Sequence, residues 1–147
     1  MPIPTSFKGS DAQKDQPLEA GTYRCRLKEI KAFDPDQARA EGKKTTAKEP
    51  SLKAVWVVQD EGDCFGRHLF DSMTLTAGKN FMLRKFLDAI AWDDDKDIIT
   101  DGVFVAEAEM IDVECNLVIE VEPARTVEGT TYDVRNRVKQ FISVFGQ

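Results

Sequence analysis

His68 is the only histidine of the sequence, and the cysteine nearest to it is Cys64. Two ligands of this kind are too few for a metal, since a structural zinc takes about four. The other cysteines, Cys25 and Cys115, stand far from this pair, and no C-x-x-C spacing occurs. Neither a zinc ribbon nor a disulfide framework is therefore signalled. The chain also lacks G-x-x-x-x-G-K-[ST], G-x-G-x-x-G and H-E-x-x-H, the patterns that cradle phosphates, bind dinucleotides or hold catalytic zinc. A single histidine without a partner pattern around serine or cysteine argues against a nucleophilic triad. The run Asp93-Asp94-Asp95-Lys96-Asp97 offers carboxylates, which are natural Mg²⁺ ligands. Consecutive carboxylates at a helix end do not converge on one ion unaided, so a solvated acidic loop is expected. The sequence predicts no enzyme, no catalytic residue, no metal and no cofactor.

Residues suited to holding a phosphate backbone and stacking bases are more numerous. Lys31, Arg39, Lys43, Lys44 and Lys48 fall in one long connection, Arg125 lies in a turn, and Arg24/Arg26/Lys28 and Arg135/Arg137/Lys139 form two stripes on strands. Lys53, His68 and Phe70 share the outward parity of two further strands, although a β-bulge would invert that parity and turn Phe70 into core, and Phe33 and Phe65 lie at loop edges. Trp56 shares parity with Leu52 and Val58 and reads as core. Cations follow phosphates, while exposed aromatics stack bases for roughly 1–3 kcal/mol each. Three cations on one strand face repel unless paired or neutralised. Phosphate contact and pairing with Glu120 and Glu122 both account for the stripes.

These residues ride on elements that the hydropathy pattern marks out. Thr22–Ile30 alternates with the two-residue period of a strand, placing Tyr23, Cys25 and Leu27 inward. Residues 31–50 break the pattern, with one helical turn expected near Gln37–Glu41. Leu52–Val58 is a second strand, Asp60–Asp63 a turn, and Phe65–Thr76 a third strand returning as a hairpin. Phe81, Leu83, Phe86, Leu87, Ile90 and Ala91 recur at helical spacing. A short helix is expected over Val103–Ile111, a fourth strand over Cys115–Glu122, a turn over Pro123–Gly129 and a fifth strand over Thr130–Lys139. Five strands with a helix between the third and fourth is the order of the OB-fold, a small all-β barrel. An open α+β sandwich with the same strands is the alternative. Residues 1–20, with three prolines, read as a flexible N-terminal arm, and 21–147 as the OB-fold domain.

The net charge of −6 looks wrong for a nucleic-acid binder, but it is unevenly distributed. Residues 91–122 hold eleven acids against Lys96 alone, whereas the rest of the chain carries a small positive excess. Local patches, not the total, decide ligand contact. No apolar run approaches the ~20 residues of a membrane span, and Met1–Lys8 lacks the pattern of a secretory signal. A cytoplasmic location is expected, that of the host cell if a phage encodes the chain.

Four segments resemble those of small bacteriophage single-stranded DNA-binding proteins with an OB-fold: Gln16–Arg26 (QPLEAGTYRCR), Leu52–Val58 (LKAVWVV), Gly66–Leu75 (GRHLFDSMTL) and Arg137–Phe141 (RVKQF). The resemblance implies non-catalytic, largely sequence-independent binding of single-stranded DNA during phage replication or recombination, with proteins of those processes as further partners. Many such proteins end in an acidic tail, whereas this sequence reads Val144-Phe145-Gly146-Gln147 at its end. The internal acidic block is left to recruit partners or to confine DNA to the basic side. The competing expectation is an OB-like protein-interaction module acting through that block or through the apolar C-terminal tail. Homo-oligomerisation is left open.

Overall fold

The computed structural model describes residues 3–9 and 17–145. Gly21–Phe33 forms the longest strand, β1, whose alternation buries Cys25 and Leu27. A bulge at Lys28 then shifts the register, so that Ile30 takes the next inward position. Beyond the bulge the strand continues past its expected end at Ile30, into the connection, as far as Phe33. That connection holds helix α1 (Pro35–Ala40). Proline at the first helical position and Asp34, whose carboxylate accepts from the Asp36 and Gln37 amides, start it.

β2 (Ser51–Val58) and β3 (His68–Thr74) follow as an antiparallel pair. β3 starts later than its hydropathy suggested because residues 63–66 form a turn, with the Phe65 amide donating to the Gly62 carbonyl and the Arg67 amide to the Cys64 carbonyl. Helix α2 (Phe81–Ala89) buries Leu83, Phe86 and Leu87 but leaves Phe81 exposed, contrary to its place in the apolar pattern.

The expected helix over Val103–Ile111 is replaced by a two-stranded hairpin, β4 (Ile99–Thr100) and β5 (Val103–Phe104), and a single helical turn, α3 (Glu107–Met110). Asp101 and Gly102 both have positive φ, at 51° and 77°. This is the two-residue turn whose twist matches a hairpin and for which Asp-Gly is a favoured pair. β6 (Glu114–Glu122) is the fourth long strand. The expected Pro123–Gly129 turn is itself part of a hairpin, β7 (Arg125–Val127) and β8 (Thr130–Tyr132), closed by Glu128 and Gly129 with φ of 49° and 80°. The expected fifth strand is thereby split: its start is β8, and β9 (Arg135–Ser143) runs on beyond Lys139.

The five long strands form one antiparallel sheet in the order β3-β2-β1-β6-β9. The protein is mostly β, as expected, but β3 and β9 are not hydrogen-bonded neighbours, so the sheet is not closed into a barrel. The side chains at the gap give a physical reason. Asp71 shares the inward parity of Leu69 and Met73, and Asn136 that of Val138. Polar residues at these positions weaken the apolar contact that would draw the edges together. Asn136 instead holds the residues before β1: the Leu18 amide donates to its Oδ1 and its Nδ2 donates to the Leu18 carbonyl, each at 2.8 Å. Leu18 is buried in the core, so the packed unit begins ahead of Gly21. Of the expected arm, residues 1–2 and 10–16 lie outside the described residues, as do Gly146 and Gln147 of the apolar C-terminal tail.

The core is centred on Trp56, which packs edge-on to Phe86 at 5.8 Å and against Phe141 at 6.0 Å. Cys25 and Cys115 face each other across β1 and β6, both fully buried and both free. Burial pushes each thiol up to about 12. Among the described residues, no helix is long and apolar enough to cross a membrane.

Candidate nucleic-acid interface

The edges that do not zip together face each other across a groove of about 800 Å³. Strand register supplies its lining. On the outward side, His68, Phe70 and Ser72 of β3 stand opposite Val57, Val55 and Lys53 of β2. Arg135 and Arg137 reach in from β9 and Arg125 from β7, while Glu122 closes the end of β6. Four of the expected cations (Lys53, Arg125, Arg135 and Arg137) thus meet His68 and Phe70 in one place.

Glu122 is paired with Arg135 at 3.1 Å, Arg125 at 3.7 Å and Arg137 at 3.9 Å, with its side chain 17% exposed. The Arg135 hydrogen bond, with the charges of all three guanidinium groups, holds its carboxyl below the usual carboxylate range. One carboxylate cannot neutralise three arginines. Lys53 adds a fourth charge; among the described residues it has no carboxylate partner, and its Nζ lies 4.3 Å from the Phe33 ring centroid. The second acid of the groove is Asp71, whose Oδ2 is buried without a hydrogen-bond partner among the described residues. Burial pushes its carboxyl up to about 6, against the opposing pull of the Ser72 amide and Arg137. The groove therefore keeps an excess of positive charge at neutral pH, and the excess grows as Asp71 takes up a proton.

Phe70 is 68% exposed, its ring set edge-on to His68 with centroids 6.4 Å apart. A large apolar ring open to solvent beside unneutralised cations is the arrangement on which a base can stack while its phosphate is held. On the rim, Arg125 lies over the Tyr132 ring at 5.8 Å. The Tyr132 hydroxyl is 3.3 Å from Thr46 Oγ1, which ties the β7–β8 hairpin to the connection carrying Lys43, Lys44 and Lys48. Those three lysines are exposed on that connection but do not line the groove, and Lys43 is paired with Glu41 at 3.5 Å.

The other expected cations are placed elsewhere. Arg24 is hydrogen-bonded to Glu114 at 3.1 Å and Arg26 to Asp112 at 2.6 Å. Both acids belong to the acidic block, so these two arginines of the stripe are offset by surface pairing. Lys28 is the extra residue of the β1 bulge, and Lys139 occupies the corresponding place in β9, where Val118 pairs with Gln140 but Ile119 with Val138. Neither lines the groove. The acidic block is not held wholly apart from the cations either, because Glu122 sits among them.

Asp71 and Asn136 escaped the sequence reading, although a carboxylate at inward parity between Leu69 and Met73 is a signal in itself. Among the described residues, no cluster of three or more His, Cys, Asp or Glu could hold a metal ion. Comparison with the known protein families and with curated proteins finds no match for the chain.

Proposed function

We propose that the chain binds single-stranded DNA without catalysis and with little sequence preference, in bacteriophage replication or recombination. The observation that carries this reading is the groove between β3 and β9, where Lys53 and three arginines outnumber the carboxylates beside an exposed Phe70. Cations alone would suit any polyanion; the solvent-facing ring among them favours a polymer with stackable bases. The strand order, with α2 between the third and fourth long strands, supports an OB-type architecture. In such folds the ligand crosses the second and third strands, flanked by the loops that correspond here to 34–50 and β7–β8. The proposed function places the protein in the host cytoplasm.

Titration of a fluorescent oligo-dT at low and high salt tests the proposal. Binding should be tight in low salt and weaken steeply as salt rises, because each neutralised phosphate releases counterions. Phe70→Ala should weaken it by ~1–3 kcal/mol. Absence of binding at low salt, or affinity indifferent to salt and to Phe70, refutes the reading. A second reading, a protein-interaction module, is favoured by Phe145, which is 93% exposed at the end of the described chain. It requires a discrete protein complex that forms without any oligonucleotide and is lost in Phe145→Ser.

A further inference from the structure

A second depression, of about 300 Å³, opens on the same sheet face between β1 and β2. It is lined by Glu29, Lys31, Phe33, Lys53 and Val55, together with Ala32, and it shares Lys53 and Val55 with the main groove. The two are therefore contiguous. Register makes the shared face explicit: Glu29 stands opposite Val55 and Val55 opposite Phe70, while Lys31 stands opposite Lys53 and Lys53 opposite Ser72. Residues directly opposite in an antiparallel pair point to the same side.

We propose that Phe33 and Lys53 form a second base-stacking subsite, so that one single strand runs from the β9 arginines over Phe70 and Lys53 to Phe33. The inference rests on the single-strand reading of the main groove. Lys31 and Lys53 are like charges directly opposite each other, which is unfavourable unless something negative joins them. Lys31 is satisfied by Glu29 at 2.7 Å. Among the described residues Lys53 has only the face of the Phe33 ring, a weak partner at an exposed site. An arriving phosphate is the stronger partner for that ammonium, and its movement onto the phosphate uncovers the ring face for a base. Phe33 pairs with Ser51 and Phe70 with Val55. Four residues along β2 and two strand spacings across the sheet put the backbone positions that carry the two rings about 16 Å apart. Neighbouring stacked bases cannot span that distance, so the rings hold bases separated by intervening nucleotides.

The proposal predicts a length-dependent effect. In anisotropy titrations of oligo-dT of increasing length at low salt, Phe70→Leu should weaken every length that binds. Phe33→Leu should leave the shortest binding oligonucleotides at wild-type affinity and weaken those long enough to reach the second ring by roughly 5- to 100-fold. Equal affinity of Phe33→Leu and wild type at every length overturns the proposal, as does equal weakening at all lengths. Failure of the wild type to bind any length overturns the underlying reading instead. Photocrosslinking of the unaltered protein to a bromodeoxyuridine oligonucleotide, with peptide mapping, gives an answer that does not depend on a variant folding. Adducts at both Phe70 and Phe33 are expected, and adducts at Phe70 alone would reject the second subsite.

Discussion

Asp71→Asn isolates the carboxyl group that the fold buries in the lining of the β3–β9 groove. The folded protein raises the Asp71 carboxyl from an ordinary 3.8 to about 6, and burial is the leading cause. A raised carboxyl means that the native state binds the proton more tightly than the unfolded chain does. On this group's account stability is greatest below about pH 4, falls as pH rises through the interval from 4 to 6, and is lowest above it. At ~1.4 kcal/mol per tenfold, the interval corresponds to roughly 3 kcal/mol. Asparagine has nearly the same shape and cannot ionise, so it escapes this loss. Its buried amide carries a cost of ~1–3 kcal/mol that does not vary with pH. The stability of the variant relative to wild type should therefore shift by roughly 2.5 kcal/mol in the variant's favour between pH 4 and pH 7.5, since the unfolded carboxyl is already more than half ionised at pH 4. Urea unfolding followed by the fluorescence of the buried Trp56 measures both proteins across that range. Oligonucleotide affinity should follow the same sign: the variant binds more tightly than wild type at pH 7.5, and the difference closes by pH 5, where wild-type Asp71 is mostly protonated. Parallel stability profiles from pH 4 to 7.5 would refute the account of Asp71, and a gap in affinity unchanged by pH would remove it from the binding groove.

The salt response tests the division between groove and surface cations: if Lys53, Arg125, Arg135 and Arg137 each meet a phosphate, the logarithmic slope should be near −2.8, about −0.7 per contact. Arg137→Ala should make that slope shallower by one such step, whereas Arg24→Ala and Arg26→Ala, whose charges Glu114 and Asp112 already offset, should leave it unchanged in the same titration. Phe86→Ala removes the edge-on partner of Trp56 and should cost ~3–5 kcal/mol in urea unfolding. Thiol labelling at pH 8 should modify Cys64 in the native protein and spare Cys25 and Cys115, whose desolvated thiols ionise only near pH 12; all three should react once the chain is unfolded.

Much of the framework could be read from the order of residue types. The alternation of Cys25 and Leu27, of Leu52 to Val58 and of Cys115 to Ile119 located three strands and their buried faces, because a strand repeats every two residues wherever one side meets a core. The helical spacing of Leu83, Phe86 and Leu87 did the same for α2. The hairpins at Asp101-Gly102 and Glu128-Gly129 were written in the sequence as well, but each is bounded by strands of only two or three residues. Such short strands carry too little periodicity to register, and the β-branched residues around them resemble several structures equally.

Periodicity stops being informative where the backbone leaves it. The bulges at Lys28 and Lys139 turn stripes of evenly spaced cations into residues with different surroundings, and no local pattern announces a bulge. Charge pairing across the sheet is equally invisible along the chain: Glu114 and Asp112 neutralise Arg24 and Arg26 from some ninety residues away. The residue types alone established a mostly β protein with one long helix, a basic character outside residues 91–122 and candidate phosphate and base contacts. Which of those cations remain free to act was decided by strand register and by the unclosed gap between β3 and β9. Electrostatic neutralisation depends on distances of a few ångströms in space, and only the folded chain sets them.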